Sequence, residues 1–289
     1  MNLRYSEKFL SSQGEGMFVG VPSVFLRTFG CNFRCKAFGL PKGSVVGKHN
    51  PDVKALLDNG ILDSVQTFEA LPLVHTGCDT YASIYPEFKK YMKNESVNEV
   101  VSGLLDLTSE KSWILNNSQD IHLILTGGEP LLWQKFWVEM LKDQGMSSLK
   151  NLTFETNATQ ELSDDLHETL EVLSNIKVTW SCSPKLSVSG ESWEDAIKPD
   201  VLAGYQDVLS SNIYLKFVVE NETDMEEVDQ AVSEYRNAGV ECPVYLMPAG
   251  GCIEEYRMNE RVVADLALSR GWRFSPRMQL HLYGNAWGT

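Results

Sequence analysis

The stretch "IHLILTGGEPLLWQKFWVEML", residues 121–141, decides how the rest of this chain is read. Its first six residues are an apolar, β-rich run and "GGEP" is a turn. The remainder sets Leu131, Leu132, Phe136, Met140 and Leu141 on one helical face. Pro130 suits the first helical position, where an N–H would have no partner in any case. Strand, glycine turn and helix in that order make one β/α unit.

Similar runs recur on both sides. "PSVFLRTF" (22–29), "NLTFET" (151–156), "IKVTWS" (176–181), "IYLKFVV" (213–219) and "PVYLMP" (243–248) read as strands, and "RMQLHLY" (277–283) as one more. Helices are expected over about 96–113, 131–144, 163–174, 224–238 and 254–270, the third with Ser163 as N-cap. Such alternation gives parallel strands joined by right-handed crossovers. Six units fit a partial (β/α)6 TIM-like barrel better than a complete eight-stranded one. Barrel chemistry sits at the C-terminal ends of the strands, where the unusual motifs of this chain fall. No repeat or linker divides residues 1–289, so a single domain is expected.

Residues 36–77 break the rhythm. Gly39, Pro41, Gly43 and Gly47 come early and "VKALLDNGIL" later, so this reads as an insertion after the first strand with one short helix.

Hydrophobic residues make up 43% of the chain, enough for a real core, and the net charge is −14. So acidic a surface repels phosphate backbones and anionic lipid, so neither nucleic acid nor membrane is an expected partner. The first residues carry no apolar signal core, and no run approaches the ~18 apolar residues of a membrane span. A cytoplasmic location is expected, with the six cysteines reduced, buried or acting as ligands.

"GCNFRC" places Cys31 and Cys35 with the spacing that opens a C-x3-C-x2-C iron–sulfur motif, but Phe38 stands where the third cysteine belongs. Cys78, in "HTGCDT" at the end of the insertion, supplies that thiol if the excursion leaves and returns at one place. A cluster held by three thiolates keeps one iron open to a bidentate amino-carboxylate, such as the methionine end of S-adenosylmethionine. Cys31 and Cys35 also read as core thiols or zinc ligands. Gly127 and Gly128 admit a ligand close to backbone, and Glu129 offers an acceptor to an ammonium group. "ETNAT" (155–159) and "SPK" (183–185) add Thr156, Asn157, Ser183 and Lys185 at later strand ends. Cys182, Cys242 and Cys252 read as structural thiols. Trp287 is positioned near the chain's end to cap a pocket.

Cys31, Cys35 and Cys78 followed by "TGGEP" resemble the radical S-adenosylmethionine superfamily. With "SSQGEG" (11–16), "VFLRTFGCN" (24–32), "CDT" (78–80), "ETNAT", "SPK" and "QLHLYGN" (279–285), the chain resembles the 7-carboxy-7-deazaguanine synthase family within it. The likeness runs from residue 4 to the end, apart from 36–77, and only the spacing of the third cysteine departs. It implies a partial barrel of the radical SAM type. The implied reaction converts 6-carboxy-5,6,7,8-tetrahydropterin to 7-carboxy-7-deazaguanine by radical ring contraction with loss of ammonia, in queuosine-type biosynthesis. Cys31, Cys35 and Cys78 would hold a [4Fe–4S] cluster and Thr80 a Mg²⁺. Gly127, Gly128, Glu129, Thr156, Asn157, Ser183 and Lys185 would bind S-adenosylmethionine. Gln13, Gly14, Glu15, Arg27 and His281 would hold the pterin, with Arg27 paired to its carboxylate.

Taken singly, Glu15 also reads as a solvated loop carboxylate and His281 as a satisfied strand histidine. Other readings of the whole are another radical enzyme, such as one activating a glycyl-radical partner, or, more distantly, a zinc-binding interaction protein. A flavodoxin or ferredoxin is the expected electron donor, drawn by Lys36, Lys42, Lys48 and Lys54 in the insertion. A homodimer is the prior for assembly.

Overall fold

The computed structural model describes residues 1–209 and 211–289. Among the described residues nine strands form one sheet: β1 (Asn2–Ser12), β2 (Pro22–Thr28), β3 (Lys93–Ser96), β4 (His122–Gly127), β5 (Asn151–Thr156), β6 (Lys177–Cys182), β7 (Asn212–Val219), β8 (Val244–Pro248) and β9 (Arg273–Phe274). Their spatial order is β3-β1-β2-β4-β5-β6-β7-β8-β9. β1 runs antiparallel to β2 and β3, and every step from β2 to β9 is parallel. The chain is therefore α/β, with the parallel strands in sequential order.

That order has a consequence for the two faces. Successive parallel strands always step the same way, so right-handed crossovers put their helices on one side of the sheet. Strand alternation agrees. Leu26, Leu125, Phe154, Trp180, Phe217 and Leu246 belong to the main core beneath the helices. Their neighbours Arg27, Thr126, Glu155, Ser181, Lys216 and Met247 face a cavity on the other side.

The helices are α1 (Pro51–Asp58), α2 (Ile61–Ser64), α3 (Val97–Leu105), α4 (Gln134–Leu141), α5 (Asp164–Val172), α6 (Trp193–Ala196), α7 (Pro199–Tyr205), α8 (Met225–Asn237), α9 (Ile253–Ser269) and α10 (Met278–Tyr283). Ser163 caps α5 as expected, its side chain accepting from the Leu166 N–H. The helix expected over 96–113 is shorter. Ser96 and Glu99 form a capping box at the start of α3, and the helix ends at Leu105. β1 escaped the sequence reading because Glu7 interrupts its apolar pattern, and β3 because "KNES" is polar throughout and has no buried residue.

One expected strand is a helix. "RMQLHLY" alternates apolar and polar residues, yet Met278–Tyr283 is α10, closed by Gly284 in the left-handed region at φ 62°. The sheet ends at the two-residue β9, and the chain then turns back so that the Met278 N–H donates to the Gly14 carbonyl at 2.9 Å.

Residues 36–77 contain α1 and α2 and leave and return together, since the Gly77 N–H donates to the Phe38 carbonyl at 2.7 Å. The Asp52 carboxylate pins the returning segment by accepting from the N–H groups of His75 and Thr76. Val53, Phe68, Leu71 and Val74 pack with Tyr81, Ile84 and Phe88 in a second apolar cluster, against which Trp287 lies. The segment's lysines are engaged locally. Lys36 donates to the Gly47 carbonyl, and Lys42, Lys48 and Lys54 pair with Glu227, Glu87 and Asp58. Its positive bias is thus smaller than the sequence suggests.

Candidate active site

A polar row crosses the helix-free face. Glu7 lies beside Arg27 in the β1–β2 register, Arg27 beside Thr126 in β2–β4, and Glu155 beside Ser181 in β5–β6. The side chains bond along the row. Arg27 Nε donates to Glu7 Oε1 at 2.6 Å, Thr126 Oγ1 to Glu155 Oε2 at 2.8 Å, and Gln13 Nε2 to Glu155 Oε1 at 3.0 Å. Among the described residues, the two terminal nitrogens of Arg27 make no hydrogen bond to protein. Apart from Glu7, which stands behind Arg27, the row forms the floor of a 740 Å³ cavity.

At one end of that cavity stand the three cysteines. Cys31, Cys35 and Cys78 all line it, and all three thiols are free. Cys35 sits at φ 46°, a left-handed conformation that costs a non-glycine residue energy. The Arg34 and Cys35 N–H groups hold it there by donating to Glu191 Oε1 at 2.9 and 2.7 Å. Burial pushes the Cys31 thiol up to about 12 and raises Cys35 and Cys78 as well, while Lys185 pulls all three the other way. Thr80 Oγ1 lies 3.1 Å from Cys78 Sγ.

"TGGEP" abuts this group. Gly127 adopts φ 125°, and a side chain at Gly128 would collide with the Gly30 carbonyl just before Cys31. Glu129 is fully buried and does not line the cavity. Its carboxylate accepts from Leu131 N–H, Thr156 Oγ1 and Asn157 N–H at 2.8–2.9 Å. Burial nonetheless raises it to about 7. Glu129 shapes the wall by fixing Thr156 and Asn157, and no acceptor of its own faces a ligand's ammonium group. Lys185 is folded onto Ser183, bonding its carbonyl at 2.7 Å and its hydroxyl at 2.9 Å.

The other end centres on Glu15. Lys216 Nζ reaches Glu15 Oε2 at 2.6 Å, while Gln279 Nε2 and Arg277 Nε reach Oε1 at 2.7 and 3.2 Å. Burial alone would raise this carboxyl, but Lys216 and Arg277 hold it down at about 2. Arg277 also pairs with Asp79, between Cys78 and Thr80, and so links the Glu15 end to the cysteine end. A solvated loop carboxylate it is not.

The cavity brings together Gln13, Gly14, Glu15, Arg27, the three cysteines and Thr80 with Gly127, Gly128, Thr156, Asn157, Ser183 and Lys185. Glu129 stands behind its wall and His281 lies outside it. Because Met278–Tyr283 is helical, Gln279 faces Glu15 while His281 bonds Glu260 on the outer surface. Sequence reasoning missed Lys216, Arg277, Glu155 and Gln279. A lysine within "IYLKFVV" was the available signal, since a buried cation needs a partner.

A cluster and S-adenosylmethionine fit what is present. Three free thiols converge beside a glycine turn that admits no side chain, with a cation nearby and a cavity large enough for two small ligands.

Comparison with known proteins agrees with the motifs. No protein-family model matches the chain. It is 28% identical to 7-carboxy-7-deazaguanine synthase of Halobacterium salinarum over 98% of this chain and 91% of that one. It is 29% identical to the protein of that name from Rhodopirellula baltica, covering 100% and 89%, and 27% identical to that of Pyrobaculum aerophilum, covering 99% and 97%. A solved structure titled "Crystal structure of QueE from Escherichia coli" matches at 19% identity and a TM-score of 0.49, covering 95% of this chain and 93% of that one. The chain is thus similar, over nearly its full length, to enzymes named 7-carboxy-7-deazaguanine synthase.

Proposed function

We propose that this chain is a radical SAM lyase that converts 6-carboxy-5,6,7,8-tetrahydropterin to 7-carboxy-7-deazaguanine. The observation that carries the reading is one cavity with three free cysteines at one end and the Arg27–Glu15 polar floor at the other. In this reading the sheet is a partial barrel of the radical SAM type, and residues 36–77 are an insertion in its cluster-binding loop.

When bound, a [4Fe–4S] cluster with S-adenosylmethionine supplies the one-electron reduction and hydrogen-atom abstraction on which the ring contraction depends. Cys31, Cys35 and Cys78 would hold the cluster, giving up their protons to do so. The backbone of Gly127 and Gly128 would take the methionine end, with Thr156, Asn157 and Ser183 along the rest. Thr80 offers a hydroxyl to Mg²⁺, whose remaining oxygens would come from substrate and water.

The chain's own part is positioning. Arg27, held at Nε by Glu7, keeps its two terminal NH₂ groups for the substrate carboxylate. Glu15 is held ionised and accepts from the pterin's amide and amino edge. An acceptor so fixed rejects analogues lacking those donors. Loss of ammonia alone balances the overall reaction, so the external reductant, a flavodoxin or ferredoxin, starts turnover and is not consumed in stoichiometry. A cytoplasmic homodimer belongs to the same proposal.

Anaerobic reconstitution tests the radical half. Iron near four per chain and reductant-dependent formation of 5′-deoxyadenosine are expected. Intact S-adenosylmethionine after reduction of a fully loaded protein would reject it.

A further inference from the structure

We propose that His75, Cys252 and Glu255 form a zinc site that fastens residues 36–77 to α9. One ligand atom from each lies within 4.8 Å of the others. His75 Nδ1 and Glu255 Oε1 are 2.8 Å apart. The second oxygen of Glu255 is buried and has no hydrogen-bond partner among the described residues. Cys252 is buried, and among the described residues its thiol makes only a long contact, 3.7 Å, to the Val74 carbonyl.

The ligands are carried by backbone that is already fixed. Asp52 holds the N–H groups of His75 and Thr76, and Cys252 is the N-cap of α9, whose first turn carries Glu255. The surrounding field favours a cation, since the carboxylates of Glu255, Glu254, Asp52 and Asp79 all act on Cys252. Thiolate with imidazole selects zinc over magnesium or calcium, and carboxylate completes a common donor set. The exposed side of His75 leaves room for water as fourth ligand. Binding releases the Cys252 proton and involves no redox change. His75 and Glu255 both line the cavity, so the ion would lock the insertion against the rim.

The site shares no ligand with the three-cysteine group, so its test does not depend on the proposed reaction. Replacing Cys31, Cys35 and Cys78 by serine removes competing thiolates, and Co²⁺ then serves as a spectroscopic probe. One near-ultraviolet thiolate–cobalt band is expected, saturating at about one ion per chain and displaced by Zn²⁺. Cys252→Ser should abolish it. His75→Ala should weaken binding more than about tenfold, since even an outer partner of a ligand is worth 10–100-fold. In the cluster-loaded protein, His75→Ala should remove bound zinc and leave iron unchanged. Absence of the band, its survival in Cys252→Ser, or zinc unchanged in His75→Ala would overturn the site.

Discussion

Lys216 and Glu15 stand 201 residues apart in sequence and meet at 2.6 Å on the cavity floor, with the lysine side chain only 5% exposed. Removing one member of such a pair strands the other charge. Lys216→Met should lower stability by about 3 kcal/mol, the low end for a broken buried pair, because Arg277 and Gln279 still hold Glu15. Denaturant unfolding measures this. KM for the pterin should rise while S-adenosylmethionine binding stays within about twofold. An unchanged midpoint would mean the pair adds nothing.

Glu129 gives a pH dependence with a definite sign. Its folded-state pKa is raised by burial from 4.5 to about 7. The stability it allows is therefore full below about pH 4.5 and lost as pH rises through about 7. That displacement corresponds to about 3 kcal/mol. The stability gap between wild type and Glu129→Gln should move in the variant's favour by that amount from pH 4.5 to 8. A constant gap would show that the three hydrogen bonds fully offset burial, contradicting the raised value.

Cys78 carries the boldest reading of the sequence, a third cluster ligand displaced by an insertion. Cys78→Ala should reduce reconstituted iron to well under half, while Cys242→Ala, a thiol outside the cavity, leaves it intact. Equal iron in both proteins would remove Cys78 from the ligand set.

Trp287 ties the end of the chain to the inserted segment. Its Nε1 donates to the Leu71 carbonyl at 2.8 Å and its ring packs edge-on to Phe68. Trp287→Ala should cost about 2 kcal/mol of local stability. Limited proteolysis should then cut first within 36–77, and an unaltered digestion pattern would contradict the tie.

The strands β2 and β4 to β8 were legible because each is a short apolar run ended by a glycine or polar turn. The cysteine end of the site was legible in part, since the Cys31–Cys35 spacing marks two thiols, whereas Cys78 follows only if residues 36–77 leave and return at one place. Two things were not. "RMQLHLY" alternates like a strand, and nothing local says that the sheet has already ended; the resemblance points to His281, but in the helix Gln279 faces Glu15 and His281 turns outward to Glu260. The charge network on the floor is a product of register. Lys216, Glu155 and Arg277 lie on separate elements, and only strand order and the turn after β9 bring them near Glu15. Glu129 was placed correctly in its turn, but its side chain bonds sideways to β5, and no sequence pattern specifies that.

The reaction is read most directly from its products. Anaerobically reconstituted protein would be given S-adenosylmethionine, reductant, Mg²⁺ and 6-carboxy-5,6,7,8-tetrahydropterin, and the products resolved by mass. 7-Carboxy-7-deazaguanine with one ammonia released per turnover is the expected result. A fully loaded protein that cleaves S-adenosylmethionine yet leaves the pterin unchanged would contradict it.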